Sequence, residues 1–219
     1  MSRHEERYIP PLRYHWLTRF YDPIVRLTTR ENTFRRALLQ QVAPRPHDQV
    51  LDLGCGTATL AIALAKIYPL AAVTGLDADT QALVIARDKT RQAGVAVNFE
   101  RGSSSRMPFS DASFDRVVSS LFFHHLTPRE KSATLAEVKR VLKPGGELHI
   151  ADWGKPANML MRAVFLTVQL LDGFETTDDS VHGRLPEVIG AAGLTDVRQT
   201  AAINTPLGTM ALYRTVKQQ

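Results

Sequence analysis

From Gln49 onward the chain alternates short apolar stretches of strand length with segments of helix length, and this alternation constrains the fold more than any other feature. Strands and helices that alternate in this way form βαβ units on a parallel sheet. Val50–Leu53 reads as a first strand and Thr57–Tyr68 as the helix packed on it. Ala72–Leu76 follows as a second strand, and then a helix capped by Asp79 or Thr80 runs to Ala93 and is stopped by Gly94. Val95–Glu100 is a third strand and, after the loop Gly102–Ser113, Phe114–Ser119 a fourth. Thr127-Pro128-Arg129-Glu130 joins an N-cap threonine, a proline at the first helical position and a glutamate three residues on, which marks a helix start. That helix ends at Lys143-Pro144-Gly145-Gly146, because proline disfavours helical geometry in the residue before it. Glu147–Asp152 is a fifth strand, Leu185–Ala192 a last helix stopped by Gly193, and Leu194–Thr200 and Gly208–Val216 are two closing strands. Residues 154 to 183 break the pattern with an apolar stretch, Ala157–Leu171, and an acidic loop, Asp172–Ser180, which together read as an insertion over the strand ends.

A chain of 219 residues has room for one well-buried α/β domain and an appended segment. The division expected is an N-terminal helical arm or lid over residues 1–47 and a ligand-binding domain over 48–219. Its single cysteine, Cys55, excludes an internal disulfide and a multi-cysteine zinc site, so no metal centre is expected and the cytoplasm is the default compartment. The N-terminus has no apolar core of signal-peptide length. The Ala157–Leu171 stretch is interrupted by Arg162 and Gln169 and is too short to span a bilayer. The formal charge of +5 is uneven, since residues 1 to 47 hold nine arginines against four acids while the remainder balances. A basic arm can meet nucleic acid, anionic lipid or an acidic substrate. A solvated helix face whose arginine stems cover apolar surface is favoured over these.

The chemistry begins at Val50-Leu51-Asp52-Leu53-Gly54-Cys55-Gly56-Thr57-Ala58-Thr59, an apolar strand that runs into a glycine turn and then a helix. Glycines let the backbone approach a ligand closely. Asp77 ends the second strand, 21 positions beyond Gly56, close to the separation at which an acid reaches ribose hydroxyls in dinucleotide folds. The third glycine of a dinucleotide turn is missing, and Asp52 lies just before the turn, where an anion opposes a pyrophosphate. An adenosine ligand with a cationic amine fits better, and S-adenosylmethionine is one: Asp52 and carbonyls around Gly54 offer acceptors to its amine.

Asp52-Leu53-Gly54-Cys55-Gly56-Thr57, Gly75-Leu76-Asp77, the run Met107 to Asp115 and Arg140-Val141-Leu142-Lys143-Pro144-Gly145-Gly146 together resemble class I S-adenosylmethionine-dependent methyltransferases. The ubiquinone and menaquinone biosynthesis methyltransferases are the group they are most similar to. The resemblance covers about residues 48 to 152. It implies a Rossmann-like three-layer α/β sandwich with a mostly parallel seven-stranded sheet whose last strand is antiparallel. It implies that Gly54, Gly56 and Thr57 wrap the methionine end of S-adenosylmethionine, that Asp77 holds the ribose and that Ala78 flanks the adenine. It also places Ser103 and Ser104 at the adenine edge and Ser120 beside the amino-acid part, with S-adenosylhomocysteine as product. Two departures stand out: the third glycine of the turn is Ala58, and the position often acidic or amide near the adenine amino group is Ser103, within Ser103-Ser104-Ser105.

Methyl transfer from a sulfonium needs alignment and water exclusion more than acid catalysis, and a base only where the attacking atom carries a proton. Phe122-Phe123-His124-His125 follows the fourth strand at the edge where open α/β sheets bind ligands. His124 is the expected base or substrate contact. Against this stands the reading in which one histidine caps or packs locally and the other is exposed. Asp152 is read as able to face the methyl group and His149 as structural. In the arm, Tyr21 is the preferred lid contact, and Tyr14, His15, Trp16 and Asp22 belong to the same segment. Met159–Leu171 suggests an apolar substrate pocket, with a homodimer contact or the underside of a helix as alternatives and the last preferred.

The function expected is methyl transfer to a small-molecule acceptor. An RNA or protein methyltransferase, suggested by the basic arm, ranks below it, as do a non-catalytic cofactor-binding protein and a nicotinamide oxidoreductase. Nucleic acid is not the expected partner, because no interleaved aromatic and basic sheet motif accompanies the arginines.

Overall fold

Residues 30–218 are described by a computed structural model of the chain. Seven strands form one sheet in the order β3-β2-β1-β4-β5-β7-β6: β1 (Gln49–Leu53), β2 (Ala72–Asp77), β3 (Asn98–Arg101), β4 (Phe114–Ser120), β5 (Leu142–Gly154), β6 (Thr195–Thr205) and β7 (Gly208–Val216). The first five run parallel, and β7 is antiparallel to both of its neighbours. This is the expected Rossmann-like arrangement.

Alternation along the central strands decides which layer each side chain enters. Val50 packs with α1 (Glu31–Val42) and α2 (Thr59–Ile67) on one face, through Phe34, Leu38, Leu60 and Leu64. Leu51 and Leu53 turn to the other face, where α4 (Pro128–Val141) and α7 (Leu185–Ala191) present Leu135, Val138, Leu185 and Ile189. Asp52, between Leu51 and Leu53, therefore shares the face of Val50 and points into the α1 layer. On β5 the same rule sends Ala151 and Trp153 to the α1 face and Leu148 and Ile150 to the α4 face. The strand order reverses between β1 and β4, so their carboxyl ends open a crevice, the usual ligand position in such sheets.

Several boundaries differ from the sequence reading, each for a local reason. The helix after the glycine turn begins at Thr59 and not Thr57, because Ala58 adopts a left-handed φ of 63° that no α-helix contains. The third strand starts at Asn98, whereas β5 starts at Leu142 and extends to Gly154. Residues 31–42, assigned to the arm, form α1, whose Phe34 and Leu38 are fully buried; this half of the arm is a layer of the core.

The segment read as an acidic loop is helix α6 (Phe174–His182), which follows α5 (Met159–Asp172). Its sequence, FETTDDSVH, carries only two strongly apolar residues, Phe174 and Val181, so tertiary contacts contribute to its order. The Lys131 ammonium on α4, 1% exposed, donates to the Thr176 carbonyl at 2.7 Å and to Asp179 Oδ2 at 3.1 Å. Removing one partner of a buried ion pair strands the other charge. Lys131→Ala is expected to lower the unfolding free energy by roughly 3 kcal/mol in urea denaturation. Ser132→Ala, on the exposed side of the same helix, should stay within about 0.5 kcal/mol of wild type. Equal stabilities of the two variants would refute the role given to Lys131.

Candidate active site

A cavity of about 950 Å³ occupies the crevice. Its floor is the turn after β1. Gly54 and Cys55 donate their amides to the Leu76 carbonyl at 2.9 and 3.1 Å, which ties the turn to β2. Asp77 completes the tie: Oδ2 accepts the Gly56 amide at 2.8 Å and Oδ1 the Asp79 amide at 2.9 Å. Asp79 in turn caps α3 (Thr80–Ala93) through the amides of Gln81 and Ala82. Burial pushes the Asp77 carboxyl up from its ordinary range, and the two amide bonds oppose this. A carboxylate oxygen has two acceptor sites, so each oxygen of Asp77, a residue that lines the cavity, keeps one beyond these bonds.

The two glycines of the turn serve different ends. A Cβ at Gly54, where φ is +71°, would lie 2.3 Å from the Phe122 ring, so this position is fixed by the aromatic wall as well as by its dihedral. A Cβ at Gly56, where φ is +50°, would meet nothing within 4 Å and would project into open space. Thr57 and Thr59 both hold the Lys89 ammonium on α3, at 2.9 and 3.0 Å, which braces the turn from behind. The Cys55 thiol, buried and near Asp52 and Asp77, is pushed well above its ordinary range and stays protonated.

One end of the cavity collects buried polar atoms with no hydrogen-bond partner among the described residues: Asp52 Oδ2, Ser120 Oγ and Arg35 Nε. Arg35 pairs with Glu31 one helical turn earlier, and both line the cavity from α1. Burial raises the Asp52 carboxyl to about 7, against the pull of Arg35, and Asp77 adds to the rise. Ala78, Ser103 and Ser104 line the cavity beyond Asp77. Ser103 Oγ meets Ser105 Oγ at 2.8 Å and Ser104 Oγ meets Thr134 Oγ1 at 2.8 Å; a hydroxyl has one donor and two acceptor sites, so each keeps capacity for a ligand.

Leu121, Phe122, His125 and Leu126 form a further wall of the cavity, which Thr176 of α6 also lines. His124, the expected contact, is not on this wall. It is 2% exposed, and its Nδ1 lies 2.6 Å from Asp152 Oδ1. The short 3-10 turn Phe123–His125 sends consecutive side chains in different directions, so His125 lines the cavity and His124 is buried against Asp152 and the edge of Trp153. Asp152 does not face the cavity either; it is buried and accepts amides from Phe122, His124 and Trp153. His149 is structural, as expected: it is fully buried between Gln41 at 3.1 Å and Glu147 at 3.0 Å.

Among the described residues of α5 none lines the cavity; Phe165 packs on Trp153 instead. Tyr21 and the other residues singled out in the arm lie outside the described residues. The sequence reading missed Arg35, and of the two adjacent histidines it chose His124 over His125. The spacing of Glu31, Arg35, Leu38 and Val42 extends the buried stripe of α1 toward the cavity, and that stripe is the one signal the sequence offered for Arg35.

The fold and the crevice define an α/β enzyme that grips a nucleoside-type ligand at the point where its strand order reverses. A methyltransferase-domain family model matches residues 50–146. The methyltransferase sll0829 of Synechocystis is 32% identical over 77% of each chain. The demethylmenaquinone methyltransferase of Deinococcus radiodurans is 36% identical over 60% of this chain, which spans about half (54%) of that relative. The YcgJ protein of Bacillus subtilis, 19% identical, superposes with a TM-score of 0.70 over 84% of this chain and 98% of its own, a likeness of fold. The chain belongs to the class I S-adenosylmethionine-dependent methyltransferases.

A carboxyl titrating near 7 in the folded protein and near 3.8 when unfolded binds its proton more tightly in the native state. Its contribution to stability is thus complete below pH 4 and is lost as pH rises through 7. Asp52→Asn removes this dependence, and its stability relative to wild type should climb by on the order of 4 kcal/mol between pH 4 and pH 8. Urea denaturation at a series of pH values checks this; a constant difference across the range would refute it.

Proposed function

We propose that this methyltransferase binds S-adenosylmethionine along the β1 and β2 ends and methylates a small, largely apolar ring acceptor. The three partnerless buried atoms carry the reading. Asp52 suits the amine of the methionine part, Arg35 its carboxylate and Ser120 either, whereas a neutral ligand end would leave Asp52 Oδ2 and Arg35 Nε buried without a hydrogen-bond partner, at a cost of about 1 to 3 kcal/mol each. Gly54, Gly56 and Thr57 wrap this end. Asp77 accepts the ribose hydroxyls on its remaining lone pairs, Ala78 flanks the adenine and Ser103 and Ser104 meet its edge. Bound there, S-adenosylmethionine supplies the methyl group and leaves as S-adenosylhomocysteine.

The apolar wall of Leu121, Phe122 and Leu126 supports an acceptor with a flat hydrocarbon body. The name of the Deinococcus relative agrees with a quinone-derived ring. Among the described residues no helix is long and apolar enough to cross a membrane. With its lone thiol held as such, we place the enzyme in the cytoplasm.

Titration calorimetry with S-adenosylmethionine and S-adenosylhomocysteine tests the cofactor reading. Charge-assisted hydrogen bonds contribute about 1.5 to 3 kcal/mol, so Arg35→Ala and Asp77→Ala should each weaken binding by about tenfold to a hundredfold. For Arg35→Ala the loss should vanish with decarboxylated S-adenosylmethionine, which has no carboxylate to hold. No heat with either natural ligand overturns the reading. Binding without turnover on reduced 1,4-naphthoquinone and related hydroxylated rings would instead identify a cofactor-binding protein that does not methylate them.

A further inference from the structure

We propose that His125 accepts the proton that the methyl acceptor gives up, and that the buried His124–Asp152 pair positions it. The inference rests on the methyl-transfer reading and goes beyond it by assigning the proton.

His125 is the imidazole that lines the cavity, in one stretch of chain with Phe122 and Leu126, and Asp52 lines the same cavity. Its ring stands over that of His124, with centroids 3.9 Å apart and planes inclined by 45°. Behind them Asp152 gathers four donors: Oδ1 takes His124 Nδ1 at 2.6 Å and the Trp153 amide at 2.7 Å, and Oδ2 takes the amides of Phe122 at 3.2 Å and His124 at 3.3 Å. One carboxylate at the end of β5 thereby fixes both the backbone entering the 3-10 turn and the ring on which His125 rests. The turn itself is closed by the His125 amide on the Phe122 carbonyl at 3.1 Å.

The charged and titratable groups around His125 are His124 and Asp152 behind it and Glu130 on the cavity side from α4. Burial, and then His124, hold the His125 imidazole well below its ordinary titration range, against the opposite pull of Asp152. It is therefore neutral at physiological pH and able to take a proton. Glu130 is committed elsewhere: its Oε2 accepts the Thr127 amide at 2.8 Å and the Thr127 hydroxyl at 2.7 Å in the capping box of α4.

The step balances in charge. A hydroxylated ring attacks the methyl carbon with one electron pair, and the pair of the broken carbon–sulfur bond returns to sulfur to give a neutral thioether. The proton of the attacking molecule passes to His125, so one positive charge moves from sulfur to an imidazolium that faces a buried carboxylate through His124. Solvent takes the proton when product leaves.

The test uses the full chain, S-adenosylmethionine and 1,4-naphthalenediol. His125→Ala should lower kcat by roughly 10² to 10⁴-fold while leaving cofactor affinity by calorimetry unchanged. Its deficit should shrink as pH rises and the diol ionises unaided, and added imidazole should restore part of the rate. Asp152→Asn should lower kcat less and move the pH profile. A wild-type rate for His125→Ala, or a deficit equal at every pH and untouched by imidazole, overturns the proposal. A second readout needs no acceptor: in nitrogen-15 spectra of the histidine rings with S-adenosylhomocysteine bound, His125 should be neutral from pH 6 to 8, and an imidazolium signature there overturns the proposal. If wild type binds the cofactor but does not methylate 1,4-naphthalenediol, the acceptor reading fails, and the spectra decide on His125 by themselves.

Discussion

The carboxylate of Asp77 holds the strand-to-helix turn after β1 against the end of β2, and the rest of the crevice is assembled around that tie. The turn passes through left-handed φ at Gly54, Gly56 and Ala58, three of five consecutive residues, and holds a single internal bond, from the Ala58 amide to the Cys55 carbonyl at 2.8 Å. It is kept in shape by donation outward, to the Leu76 carbonyl and to Asp77. Because Asp77 also accepts the Asp79 amide, and Asp79 caps α3, the position of one side chain sets the glycine turn, the start of the next helix and the floor of the cavity together. A ligand that completes the lone pairs of Asp77 therefore acts on a group already committed to the fold. Binding and local order are thereby coupled through a single side chain.

The cofactor end of the cavity works against stability in the ligand-free protein. Asp52 is delivered into the α1 layer by strand alternation alone, between two leucines that the opposite face requires. Its neighbours across the sheet are apolar, and Arg35 approaches from α1 without supplying it a direct hydrogen bond among the described residues. Burial of a carboxylate without a bonded partner favours the neutral acid, which is what its titration near 7 expresses. Ala58, at φ 63°, adds the strain of a left-handed non-glycine residue, on the order of 1 kcal/mol. Both costs fall beside the crevice, the pattern expected where a chain gives up local stability to hold a charged ligand.

What the sequence disclosed was what local chemistry decides. The glycine turn, the acid at the end of the second strand and the capping box Thr127–Glu130 depend on neighbours a few residues away, and each stands where it was read. What it withheld depends on distant contacts. Helix α6 has few apolar residues to read, and Lys131 holds it from 45 and 48 residues away. Arg35 enters the site only because α1 packs across the end of β1. The choice between His124 and His125 turned on a 3-10 turn whose direction is imposed by Asp152, 28 residues further on. Two adjacent histidines are indistinguishable by composition or spacing, and only the turn separates them.

Strand β5 shows how one register serves both layers. His149 and Asp152 are three residues apart, so alternation sends them to opposite faces. His149 meets Gln41 of α1, and Gln41 also donates to the Tyr213 carbonyl, which fastens the α1 layer to β7. Asp152 meets the turn of His124 on the other face and fixes the apolar wall of the cavity. A slip of one residue in the pairing of β5 with β4 would exchange these faces, burying a carboxylate against α1 and leaving the 3-10 turn without its acceptor. The register that fills the core is thus the same register that builds the two walls of the crevice, and selection for packing and for the site bear on one set of backbone pairings.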